Sequence, residues 1–192
     1  MRTGPRRDRS ASRGSGPWWR AARSGRPHGM ARTTPAGSIG TLGWMLRGAA
    51  AGAAGTTALN AVTYVDMVVR GRGTSSAPEQ TVEKIADKAH VAIPGDGATR
   101  GNRTQGLGAL TGLVAGTGFG VLGGLARASG LRSSKPVGIA LTTLGVLVVA
   151  NGPMTVLGVT DPRTWSRTDW ISDVVPHLAY GAVVKTTMDA FG

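Results

Sequence analysis

The chain has no cysteine among its 192 residues, and this absence excludes disulfide bonds, thiol nucleophiles and cysteine-ligated metal sites. Histidine is scarce too, with three in the chain, and no serine lies in the glycine pattern of a hydrolase nucleophile elbow. The glycine-rich run at residues 94–101 lacks the lysine and the spacing of a phosphate-binding loop. We therefore expect no enzymatic activity, no cofactor and no metal site.

Acidic residues are nearly missing from the amino-terminal quarter of the chain. Residues 1–47 hold ten arginines against a single acid, whereas residues 48–192 hold twelve basic residues against nine acids. Arginines interleaved with proline, glycine and serine are typical of a disordered arm that can touch anionic lipid headgroups. We predict such an arm over residues 1–37 and expect no specific nucleic-acid partner. In an open alternative, translation starts at Met30 or Met45 and most of the arm is not translated.

Charged side chains are also missing from residues 106–126, a stretch of 21 residues. Five glycines recur there at intervals of four, and they are Gly108, Gly112, Gly116, Gly120 and Gly124. In water each interior glycine would cost a helix about 1 kcal/mol relative to alanine. In lipid the backbone must bond within its own segment, and a row of glycines lets a second backbone approach closely. The pattern predicts a transmembrane helix that packs through its glycines.

The glycine row drifts around the helix, because four residues exceed one turn of 3.6 residues. Such a row favours right-handed crossings of about −40°. We predict that it packs against Gly48, Gly52 and Gly55 of the preceding apolar segment. A homo-oligomeric interface or a pore lining is the open alternative.

Four segments have the length to cross a bilayer core of about 30 Å, which takes about 20 helical residues. They are residues 46–67, 106–126, 136–159 and 169–189. The last segment carries Asp173, His177 and Lys185, and we include it because such residues can face a bundle interior while its apolar residues face lipid. We predict an all-α fold over residues 38–192: an integral, multi-pass four-helix bundle in a bacterial plasma membrane, with the lipid bilayer as its main partner.

The connection between the first two segments contains one predicted amphipathic surface helix, at residues 77–91. Ser76 and Glu79 match a capping box, and apolar residues follow Val82 at helical spacing. We interpret this helix as lying on the membrane surface or capping the bundle. The run at residues 94–101 is interpreted as a linker.

The last segment places Asp173, His177 and Tyr180 on one helical face, at positions i, i+4 and i+7. Ionisable residues at membrane depth are costly, and they mark proton or ion routes or paired structural elements. Asn60 and Asn151 belong to other segments and are candidates to line the same path. The alternative is a structural role, in which Asp173 starts the last helix as a negative charge near its N-terminus. Asn151 could also replace the hydrogen bond that a nearby proline removes.

Orientation follows from lysine and arginine in the flanking loops. With the full arm and four spans, the side that holds both termini carries fourteen such residues against eight on the other side, which predicts cytoplasmic termini. A start at Met30 changes the comparison to six against eight and inverts the prediction.

A pattern near the carboxyl terminus consists of Leu157-Gly158-Val159-Thr160-Asp161-Pro162, then Trp170, Ser172-Asp173 and His177-Leu178. It resembles the final segment of YagU-type bacterial inner-membrane proteins, a four-span family of unknown biochemical function. In that pattern an acid after serine precedes a histidine by four residues, as Asp173 precedes His177. Two features depart from it: Pro176 stands where a glycine is expected, and the first segment lacks the family's lysine and tryptophan. The resemblance implies a four-span membrane protein and no mechanism.

We therefore expect a structural or accessory membrane protein that is not an enzyme, with self-association through its glycine faces as an open alternative. The alternative is a proton or small-solute conductor that uses the face formed by Asp173, His177 and Tyr180.

Overall fold

The described part of the chain, residues 39–192 of the computed structural model, is all-helical and contains no strand. Its elements are α1 (Thr41–Arg70), α2 (Ala77–Lys88), α3 (Gly97–Ala128), α4 (Lys135–Val156), a short 3-10 turn (Pro162–Thr164) and α5 (Arg167–Ala190). These residues belong to one unit, residues 38–192. The arm predicted at residues 1–37 lies outside the described residues.

Two of the described helices, α3 and α4, are long and apolar enough to cross a membrane. With 32 and 22 residues, they extend about 48 and 33 Å at 1.5 Å per residue. The predicted spans at residues 46–67 and 169–189 lie within α1 and α5, which have sufficient length but do not pass the same test of apolar composition. The length and composition of the helices thus identify two candidate spans.

Helix α1 lies between α3 and α5, while α2 packs on α3 and α4 packs mainly on α5. The contact between α1 and α3 is antiparallel, because Gly48 faces Gly120 and Gly124 whereas Gly52 faces Gly116 and Gly120. A Cβ atom added to Gly52 would lie 2.6 Å from the carbonyl oxygen of Gly116. Side chains of any size would separate the two backbones, so this contact requires glycine on both helices.

Small residues occupy the buried positions of these helices. The buried residues of α1 and α3 are Trp44, Gly48, Ala51, Gly52, Gly55, Thr56, Thr104, Gly108, Gly116, Gly120 and Gly124. Large aliphatic side chains point outward instead, and on α4 the exposed fractions of Leu141, Leu144 and Val148 are 61%, 60% and 69%. Proteins that fold in water bury leucine and valine preferentially. Apart from Trp44, the usual distribution is therefore reversed on α1 and α3, whereas Val146 of α4 and Val184 and Met188 of α5 are buried in the usual way.

Helix α3 begins at Gly97, nine residues before the predicted boundary at 106. The prediction of a linker at residues 94–101 is therefore wrong from Gly97 onward. Asp96 occupies the N-cap position without a side-chain cap bond, and its carbonyl oxygen accepts the backbone N–H groups of Thr99 and Arg100 at 3.0 and 3.2 Å. In the first turn of the helix, Arg100 pairs with Glu83 of α2 at 2.7 Å.

Helix α2 ends at Lys88, three residues before the predicted boundary at 91, and His90 beyond it has a left-handed φ of 54°. The capping box predicted for Ser76 and Glu79 is wrong. Ser76 has helical rather than extended backbone angles, which hold its hydroxyl away from the N–H groups of the first turn. That hydroxyl accepts from the side-chain amide of Gln80 at 2.8 Å instead.

A capping box forms at the start of α5. The Ser166 hydroxyl accepts from the Asp169 N–H at 3.2 Å, and the Asp169 carboxylate accepts from the Ser166 N–H at 2.9 Å. Before it, α4 ends at Val156, short of the predicted boundary at 159. Gly158 has a φ of +68°, a left-handed conformation that commonly ends helices.

We predict that Gly120→Ala lowers the stability of the protein by about 1–3 kcal/mol, the typical cost of overpacking. The added methyl group would overlap the backbone of Gly48 and Gly52. Gly112→Ala is the matched control on the same glycine row, because a Cβ atom at Gly112 meets nothing within 4 Å. Thermal unfolding of the purified variants in one detergent gives the comparison. Equal losses in both variants would contradict the close contact between α1 and α3.

Candidate functional site

A polar cluster lies between α4 and α5. The Asn151 side-chain amide donates to Asp173 Oδ2 at 2.8 Å. His177 Nδ1 lies 2.7 Å from the backbone carbonyl oxygen of Asp173 and 3.4 Å from its Oδ1 atom. The structure thus brings together Asn151, Asp173 and His177, three of the five residues predicted for the polar path.

Two prolines interrupt the backbone hydrogen bonding next to this cluster, Pro153 in α4 and Pro176 in α5. Because proline has no N–H, the carbonyl group four residues earlier loses its helical donor. The suggestion that Asn151 replaces the donor missing after Pro153 is wrong, since its side-chain amide donates to Asp173. Asn151 thus forms a hydrogen bond between α4 and α5 rather than one within α4.

The histidine in the cluster has a defined tautomer when neutral. A carbonyl oxygen only accepts, so His177 Nδ1 carries the proton and Nε2 keeps a lone pair. The His177 and Asp173 side chains are 11% and 19% exposed. Within residues 39–192, His177 is the only basic residue within 4 Å of the Asp173 carboxylate. The cluster thus holds a carboxylate and an imidazole side by side in a sheltered position.

Tyr180 has a different role from the one its position on the helical face predicts. Its side chain is completely buried, and its hydroxyl donates to the Gly116 carbonyl oxygen of α3 at 2.6 Å. Its ring lies against Gly55 of α1, and the ring centroid is 6.4 Å from that of Phe119. Tyr180 therefore joins α5 to α1 and α3. The fifth predicted residue, Asn60, makes no hydrogen bond to Asp173 or His177 within the described residues.

The five glycines of the row meet different neighbours. Three of them, Gly116, Gly120 and Gly124, lie against α1. Gly108 instead lies against the backbone of Pro78 and Glu79 in α2, and a Cβ atom at Gly112 would have open space. The expectation that Gly55 also packs on this row is wrong, because the nearest atoms to a Cβ there belong to Val184 and Tyr180 of α5.

The start of α5 assigns separate roles to two aspartates. Asp169 lies in the first turn and completes the cap with Ser166. Asp173 lies six residues beyond Arg167, the first residue of the helix, or about 9 Å along its axis. The interpretation of Asp173 as the charge that starts the helix is therefore wrong. Asp169 has that role, and Asp173 pairs with Asn151.

An ion cluster that the sequence reading missed joins α1 to α5. Asp66 accepts from Arg70 and from Arg72, each at 2.6 Å, and Arg70 also contacts the Ser172 hydroxyl. The i, i+4 spacing of Asp66 and Arg70 is a signal that could have found the first pair. The contact with Ser172 depends on the packing of α5 beside α1.

Aromatic and basic residues gather at both ends of the bundle. At one end, the guanidinium groups of Arg47 and Arg127 lie 5.4 and 5.5 Å from the ring centroid of Trp44. At the other end, Trp165 and Trp170 stack edge to face at 5.0 Å.

The loop before α5 holds the residues of the YagU-like pattern in a closed turn. Asp161 accepts from the Arg163 side chain and backbone N–H, and this pairing lowers the pKa of the Asp161 carboxyl group. Trp165 donates through its indole N–H to the Thr160 hydroxyl at 2.8 Å. The loop is thus ordered by its own side chains.

No protein-family model, curated protein or solved structure matches the chain. The resemblance to YagU-type proteins stays a prediction that rests on the residues quoted above. In the described part of the chain, no group of three or more histidine, cysteine, aspartate or glutamate residues is placed to hold a metal ion.

We expect Tyr180→Phe to destabilise the protein by about 0.5–1.5 kcal/mol, the net contribution of a typical hydrogen bond. The ring stays in place while the bond to the Gly116 carbonyl oxygen is lost. Tyr64→Phe is the control, because Tyr64 is 59% exposed. Chemical denaturation in mixed micelles measures both variants, and an unaffected Tyr180→Phe protein would contradict the assigned bond.

Proposed function

We propose that this chain is a small, multi-pass protein of a bacterial plasma membrane in which α1, α3, α4 and α5 all cross the bilayer. Its role is structural or accessory rather than enzymatic. The observation that carries the proposal is the reversed distribution of side chains on α1 and α3, where apart from Trp44 the buried residues are glycine, alanine and threonine, and leucine and valine are exposed. Lipid tails are as apolar as leucine, so a bundle in lipid gains most from close backbone packing inside.

The spacing between the two ends of the bundle supports the same proposal. Trp170 on α5 and Phe191 at its end are 21 residues apart, which corresponds to about 31 Å along a helix. The hydrocarbon core of a bilayer is about 30 Å thick. Tryptophan and arginine are enriched where a membrane protein meets the headgroups, and the two ends of this bundle carry both.

Helix α5 supports a fourth crossing despite its polar residues. Pro176, His177 and Tyr180 are buried inside the bundle, whereas the apolar residues of the opposite face are exposed, namely Ile171, Val175 and Leu178. A polar interior and an apolar exterior are what a membrane helix with functional or paired ionisable residues requires. Mean hydropathy does not register this arrangement because it averages both faces.

Labelling of single cysteines tests how many helices cross, and the cysteine-free sequence gives a clean background. In intact cells, we expect a membrane-impermeant maleimide to label the variants of one pair and not those of the other. Gly40→Cys and Ser133→Cys form one pair, and Ser75→Cys and Thr164→Cys form the other. The first two positions lie on one side of a four-span bundle, and the last two lie on the other side.

Lysed cells, in which all four positions react, provide the control. If only α3 and α4 crossed, Gly40→Cys would react like Ser75→Cys and Thr164→Cys, and Ser133→Cys alone would differ. That outcome would overturn the four-span proposal.

A second candidate function, proton conduction, is favoured by the cluster of Asn151, Asp173 and His177. A carboxylate without a lysine or arginine partner is costly at membrane depth, and proton binding removes that cost. The neighbouring imidazole can pass on a proton through Nε2 while Nδ1 stays bonded to the Asp173 carbonyl oxygen. Because the Tyr180 hydroxyl is bonded to Gly116, the relay in this proposal ends at His177.

Proton flux into liposomes that contain the purified protein tests this second candidate. For a conductor, we expect Asp173→Asn to reduce flux at least tenfold, because the carboxamide oxygen still accepts from Asn151 but the group no longer titrates. Asp87→Asn on the exposed face of α2 is the control and should conduct like the unmodified protein. Flux that is unchanged in Asp173→Asn would rule out conduction through this cluster.

A further inference from the structure

An apolar groove of about 740 Å³ lies between α2, the segment that follows it and the outward face of α3. This volume falls within the range of about 300–1,000 Å³ found for small-ligand sites. The lining comes from one face of α2, the segment after it and one face of α3, and its large apolar side chains are Val82, Ile85, Val91, Ile93, Leu107 and Leu110.

The groove stays open because α2 approaches α3 through its first turn. Gly108 admits the backbone of Pro78 and Glu79, which brings the start of α2 against α3. Beyond the end of α2, His90 and Gly95 have left-handed φ angles of 54° and 93°, and the segment between them forms a second wall. Apolar side chains on both walls stay uncovered, with Ile85 and Val91 exposed by 48% and 63%.

The groove has the charge of a site for an anionic amphiphile. Arg103 is the only charged residue in its lining, and no acid lines it. Arg103 Nη1 donates to the Pro94 carbonyl oxygen at 2.7 Å, which leaves the other guanidinium N–H groups available to a ligand. On α2, the Glu83 carboxylate pairs with Arg100 of α3 at 2.7 Å.

Along the groove a positive charge is followed by apolar side chains, which matches the order of phosphate and acyl chain in an anionic phospholipid. In the proposed membrane arrangement, Arg103 lies at the headgroup level, just before the uncharged run at residues 106–126. Leu107 and Leu110 follow it along α3 and reach about 10 Å deeper. A phosphate beside Arg103 would therefore place an acyl chain against these leucines, as anionic lipids meet basic residues at membrane surfaces.

We propose that this groove binds one acyl chain of an anionic phospholipid from the surrounding bilayer, with the lipid phosphate held by Arg103. The inference rests on the proposed membrane function. It predicts a lipid that stays with the protein after the bulk bilayer has been removed.

Native mass spectrometry of the full chain in detergent tests the site with two added probes, phosphatidylglycerol and phosphatidylcholine. We expect one retained lipid per chain and about a tenfold preference for phosphatidylglycerol, as one charge-assisted contact provides. Arg103→Gln should bring the two lipids to equal retention, and thermal unfolding of this variant checks that loss of the bond to the Pro94 carbonyl oxygen leaves the chain folded. Arg132→Gln, in the loop between α3 and α4, is its control.

A second variant, Ala86→Trp, fills the groove and should reduce retention of both lipids at least tenfold, whereas Leu141→Trp on the outer face of α4 should not. Equal retention of the two lipids by the unmodified protein, or full retention by Ala86→Trp, would overturn the proposal. If the unmodified protein forms dimers and Ala86→Trp abolishes them, the groove binds a second copy of the chain, and this result would also overturn the lipid proposal. If the lipid-retention test fails but cysteine labelling shows four spans, the lipid site is ruled out and the four-span proposal stands. If cysteine labelling shows two spans, the membrane arrangement on which the lipid site rests is ruled out as well.

Discussion

The close approach of the α1 and α3 backbones is the contact on which the rest of the structure depends. Gly48 and Gly52 meet Gly120 with no side chain between the helices. At this separation the Tyr180 ring of α5 reaches across Gly55 and bonds the Gly116 carbonyl oxygen. Three helices are thereby fixed to one another by glycines and one tyrosine, and α4 and α2 add to this centre through α5 and α3.

This close packing of α1, α3 and α5 favours lipid over water as the environment of the protein. Close packing of small residues leaves little apolar area inside, and the large side chains of α3 and α4 are turned outward. In water such exposed area would be unfavourable by roughly 25 cal/mol per Å², whereas in lipid it is the normal outer surface of a helix. Some polar groups inside are paired, as Asn151 is with Asp173, whereas the buried Thr143 hydroxyl has no hydrogen-bond partner among the described residues. The proposed membrane function rests on this arrangement.

The sequence was informative where the signal is local and silent where it depends on tertiary contacts. The charge-free run at residues 106–126 predicted an apolar helix, because hydrophobicity and length are local properties. The extension of α3 back to Gly97 was missed, since the proline and glycines of residues 94–101 favour a loop by local propensity. Helical periodicity brought Asp173 and His177 together, but their link to Asn151 required knowing that α4 packs beside α5. Tyr180 shares the periodicity of the pair and yet bonds a different helix.

The most direct test of the central claim is the solvent environment of the outer face of α5, the helix whose composition alone does not identify it as a span. Spin labels at Val175→Cys and Leu178→Cys, in protein reconstituted into vesicles, report collision rates with oxygen and with a water-soluble nickel complex. The account predicts frequent oxygen collisions and rare nickel collisions at both sites, as at Leu144→Cys on α4. Nickel collisions as frequent as those at the loop position Ser75→Cys would show that α5 lies in water and would contradict the four-span membrane bundle.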